Sequence, residues 1–217
     1  MSCSITLKNV SYSNGSNLLF ENINLSVGHE EKVAIIGSNG VGKSSLLRII
    51  AGLEESYSGE LYLFHNLIKN KKDYRNFRFE VGYLPQDISS FFLSATVIED
   101  VMFSLRTTGT KKEEAYQKAL EMLEELEISH LKDRIIYELS GGEQKIVALA
   151  GILITKPKIL LLDEPTNALD ESSEKRIINI LNSIKKSMVI ISHHKSFIQQ
   201  LTPTIYKLES KKLEINI

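Results

Sequence analysis

The apolar run Lys32-Val33-Ala34-Ile35-Ile36 passes directly into Gly37-Ser38-Asn39-Gly40-Val41-Gly42-Lys43-Ser44, and Ser45-Leu46-Leu47-Arg48-Ile49-Ile50 continues with helical character. An unbroken apolar run is what a strand buried on both faces needs. The octet matches G-x-x-x-x-G-K-[ST] and sits between such a strand and a helix start. Glycines let backbone N–H groups converge on phosphate oxygens, and the helix N-terminus adds its dipole. In this pattern Lys43 reaches the β- and γ-phosphates of a nucleoside triphosphate and the Ser44 hydroxyl ligates Mg²⁺. Gly37 through Ser45 form the expected cradle. The competing reading, a glycine-rich turn that matches by chance, has to ignore both the strand and the helix.

The rest of the chain supplies a parallel sheet to carry that loop. Ile159-Leu160-Leu161-Leu162 and Met188-Val189-Ile190-Ile191 are further buried strands, with a helix through Ile177, Ile178, Leu181 and Ile184 between them. Buried strands alternating with helices mark an α/β fold with a mostly parallel sheet. Ile5, Leu7 and Val10, then Ile23, Leu25 and Val27, fall close to period two, as antiparallel half-buried strands do. Residues 87–156 lack such runs and read as an inserted helical subdomain, leaving 1–86 and 157–217 as the core of one 217-residue domain. Thr110-Lys111-Lys112-Glu113 matches a capping box opening a helix with apolar Ala115, Ala119, Leu123 and Leu126. Lys69 to Lys72 reads as a solvated loop.

Composition narrows the partners. Lys and Arg total 26 against 27 Asp and Glu, for a net charge of -1. A protein that grips nucleic acid through phosphates carries a basic excess, so no nucleic-acid partner is expected. Cys3 is the single cysteine, which excludes an intrachain disulfide and fits a reducing interior. The N-terminus lacks a basic region followed by an apolar run, and the longest apolar stretch, Ile146 to Ile154, is about half a membrane span.

Two further constellations carry chemistry. Asp163-Glu164 follows the buried strand 159–162. There the first carboxylate can hold Mg²⁺ and the second can accept a proton from an attacking water; alternatively both cap the next helix. In Leu139-Ser140-Gly141-Gly142-Glu143-Gln144, Ser140 and Glu143 form a capping box, and the paired glycines make a second anion-ready helix start. One nucleotide needs one phosphate loop, so the second start suggests a γ-phosphate supplied by another molecule.

With these motifs in this order, essentially the whole chain resembles an ATP-binding subunit of the ABC ATPase family. Gly37 to Ser44 resembles its Walker A loop, Leu160 to Glu164 its Walker B strand and Leu139 to Gln144 its signature motif. Gln86 stands at the Q-loop position, Asn167 to Asp170 resembles the D-loop, His193 the switch histidine, and Tyr12 the A-loop aromatic. The resemblance implies a P-loop NTPase fold with an added antiparallel β-subdomain, and a head-to-tail dimer, with itself or a sister ATPase, sandwiching two ATP molecules. Tyr12 would stack on adenine, or else is a core tyrosine. Gln86 would sense Mg²⁺ or the lytic water, or else is a polar loop residue. His193 would bond the γ-phosphate. Ser140, Gly141 and Gly142 would receive the partner copy's ATP. Asp170 would cross the interface, cap a helix, or both.

The family usually has a basic residue where Ile146 stands and glycine where Glu30 stands. A single cassette with Glu164 and His193 intact favours the ATPase of a membrane transporter over a soluble motor on ribosomes or DNA, or a silent regulator. Thr96 to Phe103 and Val147 to Leu153 most resemble energy-coupling-factor and cobalt/nickel importers, although efflux pumps share much of the pattern. The expected partners are integral membrane subunits, and the expected location is peripheral, on the cytoplasmic face of the cell membrane. Phe91-Phe92 either line a groove for such a subunit or close the helical subdomain's core.

Overall fold

The computed structural model describes residues 3–216. The chain runs β1 (Cys3–Asn14), β2 (Asn17–Gly28), β3 (Lys32–Ile36), α1 (Lys43–Ile50), β4 (Tyr57–Leu63), β5 (Asn66–Ile68), α2 (Lys71–Tyr74) and β6 (Val81–Leu84). It continues through α3 (Val97–Thr107), α4 (Lys112–Glu125), α5 (Gly141–Leu153), β7 (Ile159–Asp163) and α6 (Glu171–Ser183). It ends with β8 (Ser187–Ile191), α7 (Lys195–Leu201), β9 (Ile205–Glu209) and β10 (Lys212–Ile215).

Two compact units result. The first takes in the chain up to Tyr83, Lys158–Glu164, and everything from Ile184 onward. Its six-stranded sheet has the order β10-β9-β3-β8-β7-β6, with β3 parallel to β8 and β9, and β7 parallel to β8. The expected mostly parallel sheet is therefore present. A second, antiparallel sheet has the order β2-β1-β4-β5. Side chains of both sheets and of α1 share one core that includes Phe20, Leu46, Ile50, Leu161 and Val189.

The spacing of apolar residues on β1 and β2 has a structural cause. Leu7 to Val10 and Phe20 to Ile23 are steps of three, yet all four side chains are buried. A bulge in each strand absorbs the extra residue, at Asn9 (φ 52°) and Asn22 (φ 52°). Asparagine visits that left-handed region more readily than most residues. The two bulges cancel, so that Tyr12 faces Phe20.

The second unit comprises Leu84–Pro157 and Pro165–Ser183. In it α3 packs against α4 and α5, and α5 against α6. The division differs from the sequence expectation because 165–183 belongs here rather than with the core. The Arg176 guanidinium explains part of this, donating to the carbonyls of Leu126 and Glu127 at 2.9 and 2.6 Å. Ile177, Ile178 and Leu181 are buried as expected, but Ile184 lies beyond the end of α6.

Two local expectations need correction, and one open alternative is decided. Thr110 does not cap α4: its N–H bonds Leu105 and its carbonyl accepts from Arg106, so it belongs to the turn that closes α3, and Lys111 takes the cap position. Lys71 and Lys72 are not loop but open α2, capped by the Asn70 side chain. Phe92 is 6% exposed and packs edge-on against Phe91, so it closes the core, while Leu93 beside it is 69% exposed. Ile146 is buried within α5.

Glu30 stands in a tight turn with φ 58°, and its N–H is held by Ser187 Oγ at 3.0 Å. A left-handed L-residue costs about 1–2 kcal/mol, whereas glycine's added unfolded freedom costs about 0.5–1 kcal/mol. Glu30→Gly should therefore stabilise the protein by about 0.5–1 kcal/mol, read as a higher urea midpoint at unchanged slope. A lower midpoint would show that the side chain contributes more than its strain.

Candidate active site

In the first unit the phosphate loop leaves β3 and enters α1 under steric limits that only glycine meets. A Cβ on Gly37 would lie 2.3 Å from the Leu208 carbonyl oxygen, and one on Gly42 2.8 Å from the Phe20 ring. Gly42 also stands at the N-cap of α1 with φ 103° and has no side chain to cap it. The first N–H groups of α1 are thus left for an outside acceptor. Gly40 has φ 80° but open space around it. Ser38, Asn39 and Gly40 are exposed, Val41, Ser44 and Ser45 half-buried.

Lys43 is 7% exposed and its ammonium donates to the carbonyls of Gly37 and Ser38 at 2.8 Å each. Burial lowers its pKa, and the nearby carboxylates of Glu164 and Asp163 partly offset this. Those carboxylates end β7, with Asp163 3% and Glu164 5% exposed. Glu164 has φ 48°, and its N–H donates to the Ile191 carbonyl at 2.9 Å. That bond ties it to the end of β8, where His193 follows. His193 Nε2 lies 3.2 Å from Glu164 Oε1, and the His193 N–H donates to Glu164 Oε2 at 3.3 Å. Lysine, two carboxylates and an imidazole thus converge where the parallel strands end, the usual location of ligands in such sheets. Asp163 and Glu164 are not helix caps: Asp170 caps α6 instead, accepting the Ser173 N–H at 2.8 Å.

Tyr12 is half-buried on β1. Its ring centroid lies 5.9 Å from that of Phe20, and its hydroxyl donates to Glu54 Oε2 at 3.0 Å.

In the second unit the capping box at Ser140 is complete. The Ser140 N–H donates to Glu143 Oε2 at 2.8 Å and the Glu143 N–H to Ser140 Oγ at 3.3 Å. The Ser140 bonds hold the Glu143 carboxyl below its usual pKa. The two glycines differ: a Cβ on Gly142 would lie 2.3 Å from Ser173 Oγ, whereas Gly141 faces open space. Gly142 is a packing requirement between α5 and α6, and Gly141 leaves room for a ligand. Gln86, Gly141, Gln144 and Leu169 line an open groove of about 400 Å³.

Residues 20–167 match the family described as ABC transporter. The chain belongs to that family. An ABC transporter ATP-binding protein of Brucella suis biovar 1 is 40% identical over 209 residues, 96% of this chain and 87% of its own. The glutamine transport ATP-binding protein of Escherichia coli K12 is 36% identical over 214 residues, 96% of this chain and 89% of its own. Among solved structures, CbiO1 of Clostridium perfringens, part of the ABC transporter complex CbiONQ, has a TM-score of 0.86 at 26% identity, covering 99% of this chain and 88% of its own. A dimeric ATP-binding cassette in a post-hydrolysis state, bound to ADP and Pi, has a TM-score of 0.86 at 28% identity, covering 97% and 96%. The chain is accordingly an ATP-binding ABC subunit and an ATPase.

Sequence reasoning missed two residues that touch the expected site residues Tyr12 and Gly42. Phe20 supports both Gly42 and Tyr12, and its only sequence signal is an apolar residue out of period. Glu54, which accepts the Tyr12 hydroxyl, carries no signal, being one of two consecutive glutamates in a loop.

The glycine contacts give a graded expectation. Gly42→Ala combines a left-handed strain of about 1–3 kcal/mol with the Phe20 clash, and should weaken ATP binding at least about tenfold. Gly40→Ala, strained but unobstructed, should weaken it less. Equal losses by calorimetry would show that the Phe20 contact is not what restricts position 42.

Proposed function

We propose that this ABC ATPase powers an importer of the energy-coupling-factor or cobalt/nickel type, carrying a metal ion or a vitamin. The likeness to CbiO1 over 99% of this chain is the observation that carries the reading. The Thr96 to Phe103 and Val147 to Leu153 segments support it.

The geometry supports the roles that the resemblance implies. Lys43 would exchange its two carbonyl bonds for β- and γ-phosphate oxygens, while the uncapped start of α1 holds the same phosphates. Tyr12 would stack on adenine. The hydroxyl of Ser44, the carboxylate of Asp163 and the amide oxygen of Gln86 are the hard oxygen donors that suit Mg²⁺. When bound, that ion neutralises charge on the β- and γ-phosphate oxygens. Water would attack the γ-phosphorus, the bond to the β-bridging oxygen would break, and Glu164 would take the water's proton. His193, fixed against Glu164, would bond the γ-phosphate. Ser140, Gly141 and Asp170 would serve the ATP of a second copy or a sister ATPase, which explains why a second anion-ready helix start exists.

Exposed apolar residues on the second unit fit a membrane subunit. Leu93–Val97 runs antiparallel to Arg134–Ile136 through the Ile136 N–H to Ala95 and Val97 N–H to Arg134 bonds, at 3.0 and 3.2 Å. Asp100 holds the turn before it, accepting the N–H groups of Leu93 and Ser94 at 2.7 and 2.9 Å. Leu93 and Ile135 on this ribbon, and Tyr137 just after it, are 69%, 46% and 65% exposed. Exposed apolar residues held in a fixed turn are what an interaction surface needs. No helix among the described residues is long and apolar enough to cross a membrane. As the ATPase of such an importer, the chain would sit peripherally on the cytoplasmic face.

Glu164→Gln should keep ATP binding and lose about 10²- to 10⁴-fold of turnover; near-normal hydrolysis would remove Glu164 from the base role. The same tagged variant, purified from native cells in mild detergent, should bring integral membrane proteins with it, and Leu93→Glu should lose them while still hydrolysing ATP. Ribosomal or DNA-bound proteins in their place would make the chain a soluble motor.

A further inference from the structure

The side chain read as the adenine platform is held at two points. At its base, the Tyr12 ring packs on Phe20, which is fully buried and wedged beneath Gly42. At its tip, the hydroxyl donates to Glu54 Oε2 at 3.0 Å. Glu54 is itself fixed: its other oxygen accepts the N–H groups of Glu55 and Ser56, each at 3.1 Å. One carboxylate oxygen is thus committed to the turn after α1 and the other to the tyrosine. The Ser56 N–H first, then the Tyr12 hydroxyl, hold the Glu54 carboxyl below its usual pKa, so it remains an acceptor at neutral pH.

We propose that Glu54 is a positioning residue for nucleotide binding, locking the Tyr12 ring in the plane on which the base stacks. This rests on Tyr12 being the stacking partner of adenine. A stacking contact depends on ring orientation, and a tyrosine on a strand held only at its base can swing about its side-chain torsions. Fixing the ring beforehand removes an ordering cost that ATP would otherwise meet on binding, an effect of about two- to tenfold in affinity. Glu54 touches neither phosphate nor the reacting water in this arrangement, so its effect falls on binding rather than turnover.

The test is steady-state ATP hydrolysis by the full chain, with inorganic tripolyphosphate as a competing inhibitor that has no base. Glu54→Ala should raise KM for ATP about two- to tenfold with kcat within about twofold, and leave the tripolyphosphate inhibition constant unchanged. Tyr12→Phe breaks the same bond from the other side without disturbing the turn, and should raise KM equally. The double variant should be no worse than either single one, and Glu54→Gln, whose one oxygen can stay on the turn while its amide N–H donates to the Tyr12 hydroxyl oxygen, should restore KM. If Tyr12→Ala raises KM while Glu54→Ala and Tyr12→Phe do not, the positioning role is overturned and stacking survives. If Tyr12→Ala leaves KM unchanged, stacking itself is wrong and the proposal falls with it. A parallel loss of tripolyphosphate binding in Glu54→Ala would also overturn it, since the damage would then lie in the phosphate loop.

Discussion

The backbone leaving β3 passes between the Leu208 carbonyl and the Phe20 ring, and neither gap admits a Cβ. Leu208 lies on β9 in the parallel sheet, and Phe20 on β2 in the antiparallel one. The phosphate loop is therefore clamped by both sheets at its two ends while its middle, Ser38 to Gly40, stays exposed. A loop held this way presents its N–H groups without first having to order them, which is what preorganised anion binding requires. The uncapped start of α1 and the close approach of Phe20 are two results of the same missing side chain at Gly42.

Charge is concentrated beside that clamp. Lys43, Asp163 and Glu164 are all nearly buried, and a buried charge is tolerated only among partners. Lys43 has loop carbonyls at one side and two carboxylates within electrostatic reach; Glu164 has both the ring and the backbone of His193. Glu164 also has a left-handed backbone, a conformation of order 1–3 kcal/mol above the ordinary one that persists where surroundings over-determine it. Here the overdetermination is visible: its N–H is bonded to the end of β8 and its carboxylate to the residue two beyond that end. Strain and burial together hold the carboxylate against His193, within electrostatic reach of the loop's lysine.

Much of this was legible in the chain. Unbroken apolar runs identified β3, β7 and β8 because a strand covered on both faces cannot alternate, and the glycine pattern at 37–44 has few other uses. The capping box at Ser140 was legible for the same reason: it is a local contact between residues three apart. What escaped was set by distant partners. Whether Phe92 or Leu93 faces out depends on Asp100, which holds the turn, and apolarity alone does not distinguish them. Thr110 had the right neighbours for a cap but was already engaged by α3. The grouping of 165–183 with the helices rests on α6 packing against α5 and on Arg176 reaching residues about fifty positions earlier. Glu54 and Tyr12 are 42 positions apart, and nothing in either neighbourhood announces the other.

The paired bulges at Asn9 and Asn22 bear on how this ribbon can change over time. Each bulge lets one extra residue pass without turning the later side chains over, and together they leave the pairing sum unchanged, so Tyr12 still meets Phe20. Losing the bulged residue from one strand would turn a step of three into the ordinary step of two and keep the aromatic on its face, whereas losing a residue outside the bulges would carry it across. The hairpin therefore absorbs a change of length at Asn9 or Asn22, and related chains that kept the aromatic pair are free to lack either irregularity.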